Sequence, residues 1–270
     1  MQILSLRSAV KEQGLGKLIT ILAESVPDLT DQYTTFVVKG EFLRLKVRAC
    51  HAFQIDLVQQ AISMLKKEKK YTIVDIGDSS GTHLKYLEKL NSDLTMDTLS
   101  VNLDKKAVDR IKEKGMNAIQ CRAEELHKHP SFSSKSIDIF LSFEMVEHLM
   151  DPLNFMHTMA IESECKYFVV TVPYLYRSRV GLHHVRADKD LLPDYFVAEN
   201  THIFELSPDD WDLVFKFSGW KIVKSVRYTQ YPKRNILSLM RWGWRRADFD
   251  GFYGVILEKD DTYSKRYKDW

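Results

Sequence analysis

From residue 71 onward, short apolar runs alternate with helical patterning, and this alternation constrains the fold more than any other feature. Strand-length runs lie at 71–76, 98–103, 117–121, 137–143, 167–172, 220–228 and 252–257. Between them come helical patterns such as Leu84, Leu87 and Leu90, then Ala107 and Ile111, then a segment expected to be helical over 144–162. Strands alternating with helices build an α/β fold around a mainly parallel sheet. Such a sheet takes its ligand at the carboxyl ends of the strands, beside the point where strand order reverses. Residues 1–69 read differently, as helix and loop. Ala52, Ile55, Leu57, Val58, Ala61, Ile62 and Leu65 there recur close to helical spacing.

Composition narrows the class. With 270 residues, 44% of them hydrophobic and 28% charged, the chain can bury a substantial core, and it is not of disordered composition. Thirty-nine basic against thirty-seven acidic side chains gives +2, so net charge alone argues for no polyanionic partner. The balance is uneven: residues 221–270 hold twelve basic and six acidic side chains. Cys50, Cys121 and Cys165 stand far apart without a C-x-x-C spacing, which speaks against a disulfide scaffold and for a reducing compartment. The opening residues lack the basic-then-apolar pattern of a signal peptide, and the longest apolar stretches are too short to span a bilayer. The expectation is a cytoplasmic protein.

The first strand runs into Val74-Asp75-Ile76-Gly77-Asp78-Ser79-Ser80-Gly81-Thr82-His83. Glycines there let the backbone turn sharply and approach a ligand, and the following helix would aim free amides at an anionic group. A dinucleotide fingerprint wants G-x-G-x-x-G, whereas this loop is G-x-x-x-G with an acid two positions before the first glycine. That spacing fits a loop for S-adenosylmethionine better. One βαβ unit later comes Ser100-Val101-Asn102-Leu103-Asp104, where a ribose-binding polar side chain belongs. Cys121-Arg122-Ala123-Glu124 follows the third strand and Ser142-Phe143-Glu144 ends the fourth.

Taken in order, VDIGDSSGTH, SVNLD, CRAEEL and SIDIFLSFEMVEHLMDP resemble the class I S-adenosylmethionine-dependent methyltransferases over roughly residues 70–260. The resemblance implies a Rossmann-like seven-stranded sheet, mostly parallel with an antiparallel last strand. Residues 1–69 would be a helical extension or cap, and 261–270 a basic tail. It further implies that Asp75, Gly77, Asp78, Ser79 and Gly81 line the methionine end of the donor. Asn102 would approach its ribose and Glu124 its adenine, with Leu103, Asp104, Ala123 and Ser142 completing the residues around the donor. Two positions depart from the pattern. Ser79 replaces the usual middle glycine, tolerable if its φ stays negative, and Asn102 replaces the usual acid.

Glu144, Glu147 and His148 stand at i, i+3 and i+4, so on a helix they would share a face at the ligand edge of the sheet. Two carboxylates and an imidazole suit Mg²⁺, Mn²⁺ or Zn²⁺, with His202 closing the set from the other side. This E-x-x-E-H…H pattern resembles metal-dependent O-methyltransferases of ubiquinone biosynthesis and of small-RNA 2′-hydroxyls. In these, as the resemblance implies, an ion grips neighbouring acceptor oxygens. The alternative is a helix-capping Glu-His pair and a structural His202. His148, and His183 with His184 in the loop after the fifth strand, are the candidate proton acceptors.

These residues lead to an expected O-methyltransferase acting on a hydroxylated small molecule, of sugar, polyol or catechol type. RNA ribose methylation and a donor-binding relative without transfer remain alternatives. The segment 235–248, with Trp242, Trp244, Arg241, Arg245 and Arg246, reads as a nucleic-acid or membrane contact, or as an insertion packing its tryptophans on the sheet.

Overall fold

The computed structural model describes residues 2–65, 70–132, 136–181, 194, 196–197, 199, 201–234, 236–243 and 249–267. Three helices lead: α1 (Gln2–Glu12), α2 (Gly16–Ser25) and α3 (Glu41–Leu65). Then come β1 (Lys70–Ile76), α4 (Thr82–Leu90), β2 (Thr95–Asn102), α5 (Lys105–Glu113) and β3 (Ala118–Gln120). The chain continues through β4 (Ile137–Phe143), α6 (Pro152–Glu162), β5 (Cys165–Tyr174) and a small ribbon of β6 (Arg179–Val180) with β7 (Phe204–Glu205). It closes with α7 (Pro208–Phe217), β8 (Trp220–Tyr228) and β9 (Gly251–Lys259).

The main sheet has seven strands in the order β3-β2-β1-β4-β5-β9-β8. β1 to β5 are mutually parallel, while β9 runs antiparallel between β5 and β8. The expected Rossmann-like fold is thus observed, down to strands 137–143 and 220–228 at their expected bounds. Strand order reverses between β1 and β4, so the crevice opens above their carboxyl ends.

Because strand side chains alternate faces, the central strands feed two apolar layers. Tyr71, Ile73, Ile139, Leu141, Val169 and Ile256 pack with α3 and α4 on one side. Val74, Ile76, Phe140, Phe168, Val170 and Leu257 pack with Phe155, Met156, Trp211 and Phe215 of α6 and α7 on the other. α3 is therefore part of the layer covering the sheet. Full burial of an aliphatic or aromatic side chain such as Leu57 or Phe53 stabilises by about 1.5–3 kcal/mol. Gly254 of β9 makes that approach close: a Cβ there would lie 2.3 Å from Leu57 Cδ1 and 2.6 Å from Phe53 Cζ. Arg48 ties the leading helices together. Its buried guanidinium donates to the carbonyls of Leu22 (2.9 Å), Val26 (2.5 Å) and Pro27 (3.1 Å), capping α2, and to the Tyr86 hydroxyl (2.7 Å).

One expected element differs. The segment 144–162 is not a continuous helix: Glu144 has φ 51°, Val146–His148 forms a single 3₁₀ turn, and α6 starts only at Pro152. The residue before a proline is driven out of the helical region. Asp151 instead caps α6, its side chain accepting from the Asn154 amide. Glu144, Glu147 and His148 therefore do not share a helix face. Trp242, for which packing on the sheet is one reading of the sequence, is 72% exposed, and Ile236 (81%) and Leu239 (78%) are exposed too. Trp244, Arg245 and Arg246 lie outside the described residues.

Candidate active site

The loop after β1 is held from within. Asp78 turns its carboxylate back on its own loop, accepting from the amides of Ser80 (3.0 Å) and Gly81 (2.8 Å) and from the Ser100 hydroxyl (2.6 Å). Gly77 and Gly81 have φ of 96° and 75°, a region that favours glycine. Among the described residues Glu144 is the one non-glycine with positive φ, so Ser79 meets the condition under which a serine is tolerated. The Ser79 hydroxyl donates to the Gln32 carbonyl at 2.9 Å, and Ser80 donates to Gln32 Oε1 at 3.1 Å.

At the end of β2, Asn102 spends its side chain on the same loop. Its amide donates to the carbonyls of Gly77 (3.3 Å) and Asp78 (2.8 Å), and its Oδ1 accepts from the Asp104 amide (2.8 Å). Asp104 caps α5 through the Lys106 amide, while Leu103 is half exposed. Ala123 and Glu124 open a 3₁₀ turn after β3, and Ser142 is fully buried on β4. Asp75, at the end of β1, is buried, and burial first, then the neighbouring Asp78, pushes its carboxyl up to about 6.

Across the reversal point, three of the four expected ligands converge although no helix aligns them. Glu147 is fully buried, with Oε1 3.7 Å from His148 Nε2 and 3.9 Å from His202 Nε2. Ligand atoms of the three residues all lie within 4.8 Å of one another. Backbone pairing delivers His202, because the Ile203 amide donates to the Glu147 carbonyl at 2.9 Å. The rings of His148 and His202 meet edge to face at 4.5 Å, and Phe249 stacks on His202 at 5.0 Å. His148 Nδ1 faces the Thr201 carbonyl at 2.8 Å; a carbonyl only accepts, so Nδ1 carries a proton, and in the neutral ring Nε2 then holds the lone pair. Glu144 stands apart from this trio, its Oε1 accepting from the Thr171 hydroxyl at 2.9 Å. Burial, and then the charge of Glu144, hold the Glu147 carboxyl well above the usual carboxylate range. His183 and His184 lie outside the described residues.

A strap from the leading segment bonds to both halves. Gln32 holds the loop after β1, while Thr34 and Thr35 donate to the Glu199 carboxylate at 2.9–3.0 Å. Tyr33 between them is packed in, its phenol pushed up by burial and then by Cys50, Glu144 and Glu199. Gln32, Gln54, His83 and Glu199 went unassigned from the sequence. Only His83 sat in a recognised motif; the rest arrive from far along the chain.

Residues 74–160 match the family profile described as a methyltransferase domain. No curated protein sequence matches the chain. Among solved structures, the chain is similar to magnesium protoporphyrin IX methyltransferase from Synechocystis, determined with bound S-adenosylhomocysteine. Identity is 10%, the TM-score 0.55, and coverage 91% of this chain and 95% of that one. An S-adenosylmethionine-dependent methyltransferase from Mesorhizobium loti shows 15% identity and TM-score 0.51, covering 74% and 96%. The cyclase SpnF shows 10% and 0.55, covering 94% and 97%, so this architecture also serves other reactions. The chain thus has the Rossmann-like methyltransferase fold, and the part of it from β1 into α6 matches the methyltransferase domain.

Proposed function

We propose that the protein is an S-adenosylmethionine-dependent O-methyltransferase acting on a hydroxylated small molecule, with Glu147, His148 and His202 holding a divalent cation. The observation that carries the reading is the buried Glu147 carboxylate. Both its oxygens are buried without a hydrogen-bond partner, and two imidazole Nε2 atoms stand 3.7 and 3.9 Å away. A buried carboxylate without a partner is costly unless it is protonated or meets a cation. One oxygen and two imidazole nitrogens suit Mn²⁺ or Zn²⁺ better than Mg²⁺. The Nδ1–H of His148 anchored on a backbone carbonyl is the outer contact that orients a ligating histidine.

When bound, such an ion lowers the pKa of an acceptor hydroxyl. The chain's own residues do the rest. The loop 77–81 fixes the donor, and the strap through Gln32 and Thr34 bonds to that loop and to Glu199 at the edge of the crevice, which favours a small acceptor over a polymer. Transfer forms a carbon–oxygen bond as the carbon–sulfur bond breaks, and alignment of those atoms is most of the catalytic task. A metal-free variant of the reading uses His148 Nε2 as the base for the hydroxyl proton.

The test is calorimetric titration of S-adenosylhomocysteine into metal-stripped protein, then of Mn²⁺ into the complex. The expected result is binding of both, with the Mn²⁺ heat abolished in Glu147→Ala and His202→Ala. Product binding without Mn²⁺ heat leaves the His148 base. Retention on single-stranded RNA that falls steeply with salt would replace the small acceptor with RNA ribose. Absence of product binding overturns the methyltransferase reading.

A further inference from the structure

A buried row of side chains runs beneath α3 from the donor loop to the acceptor side. Asp75 Oδ2 stands 3.3 Å from His83 Nδ1. His83 Nε2 meets Gln54 Oε1 at 3.0 Å, Gln54 Nε2 donates to the Thr171 hydroxyl at 3.2 Å, and Thr171 donates to Glu144 Oε1 at 2.9 Å. Asp75, His83, Gln54 and Thr171 are each no more than 7% exposed. The row crosses three neighbouring strands, β1, β4 and β5, and ends beside the cluster at Glu147.

Its direction follows from donor counting. Thr171 gives its single hydroxyl proton to Glu144 Oε1. Thr171 oxygen must then accept, which orients the Gln54 amide with its nitrogen toward Thr171 and its oxygen toward His83. An amide oxygen only accepts, so His83 Nε2 carries a proton. His83 Nδ1 is left facing the Asp75 carboxylate. From His83 Nε2 onward each link points toward Glu144, and reversing one of these three links requires reversing the others. Buried hydrogen-bonded chains of this kind polarise along their length, and a low local dielectric strengthens the effect.

We propose that Gln54 is a positioning residue that couples the donor loop to the acceptor-side carboxylates: ligand bound against Asp75 is registered at Glu144 through this one-way chain. The inference rests on the donor reading of loop 77–81. Gln54 touches neither donor nor acceptor in this role. It belongs to the leading helical segment, which thereby takes part in the site as well as in the core.

The test is a thermodynamic cycle read by calorimetry, with S-adenosylhomocysteine as the probe throughout. Glu144→Gln is measured in three backgrounds: wild type, Gln54→Leu and Thr171→Val. Thr171→Val is close to isosteric and severs the same chain elsewhere, so it serves should Gln54→Leu fail to fold. The expected result is a change in product affinity of about fivefold or more on Glu144→Gln in the wild type, at the lower end of typical coupling, and none in either severed background. The same change in all three backgrounds means that charge acts through space and overturns the inference. So does the absence of any change in a wild type that binds the product. Failure of the wild type to bind the product overturns the donor reading itself and the inference with it.

Discussion

The side-chain amide of Asn102 at the end of β2 donates to the backbone carbonyl of Asp78 at 2.8 Å, so the second strand fixes the loop that follows the first. Its second contact, to the Gly77 carbonyl at 3.3 Å, reinforces this. Restoring the acid found at this position in related loops is therefore not expected to improve the protein. In Asn102→Asp a carboxylate would face two carbonyl oxygens. The expected loss is about 1–3 kcal/mol in denaturant unfolding, the cost of leaving such groups unmatched. An Asn102→Asp variant as stable as the wild type would show that the amide contacts contribute nothing.

Asp75 predicts a pH dependence. Its carboxyl is raised from an ordinary 3.8 to about 6, chiefly by burial. An acid raised on folding adds stability while protonated. That contribution is complete below 3.8 and is lost as pH climbs through about 6. The stability of the wild type relative to Asp75→Asn should thus fall by about 3 kcal/mol between acidic and neutral pH. Urea unfolding of both proteins across that window checks this, and parallel curves would refute it.

Gly254 sets the distance between β9 and α3. With Leu57 Cδ1 and Phe53 Cζ at 2.3 and 2.6 Å from a would-be Cβ, Gly254→Ala forces both side chains to move. Overpacking of this order destabilises by about 1–3 kcal/mol. The Leu57→Ala change should relieve part of the loss in the double variant, a non-additivity that thermal unfolding can measure.

Arg48→Met removes a buried guanidinium that serves three carbonyls and the Tyr86 hydroxyl. The methionine matches the apolar stem but leaves the end of α2 uncapped. A loss of about 2–4 kcal/mol is expected from several buried acceptors left unmatched. Faster hydrogen exchange should be confined to α2 and the strap that follows it, and uniform exchange throughout the chain would count against this account.

Metal removal gives the last prediction. At a Mn²⁺ concentration about a hundredfold above its dissociation constant, mass action should stabilise the fold by about 2.7 kcal/mol. Chelation reverses the gain. Glu147→Ala should show no Mn²⁺ effect, because two imidazoles without the buried carboxylate lack the charge that draws the ion. A gain that survives Glu147→Ala would place the ion elsewhere.

The sequence by itself determined the α/β class, the seven strands of the main sheet and the glycine turn after the first strand, because these rest on local patterns. Alternating apolar runs, glycines at turns and a proline at a helix start act within a few residues of themselves. The same local reading expected a helix through Glu144, Glu147 and His148, but Glu144 takes a positive φ, Val146–His148 makes a single 3₁₀ turn, and the helix starts only at Pro152. Three of the four residues nevertheless meet. What joins them is the pairing of Ile203 with Glu147, a contact between segments some fifty residues apart that no local period encodes. Only the tertiary structure decided that Gln32 reaches the loop after β1 and Gln54 reaches His83, that Asn102 faces the loop backbone, and that Trp242 stays exposed. Each of these depends on which strands become neighbours, and that is settled by burying two apolar layers at once rather than by any one stretch of chain.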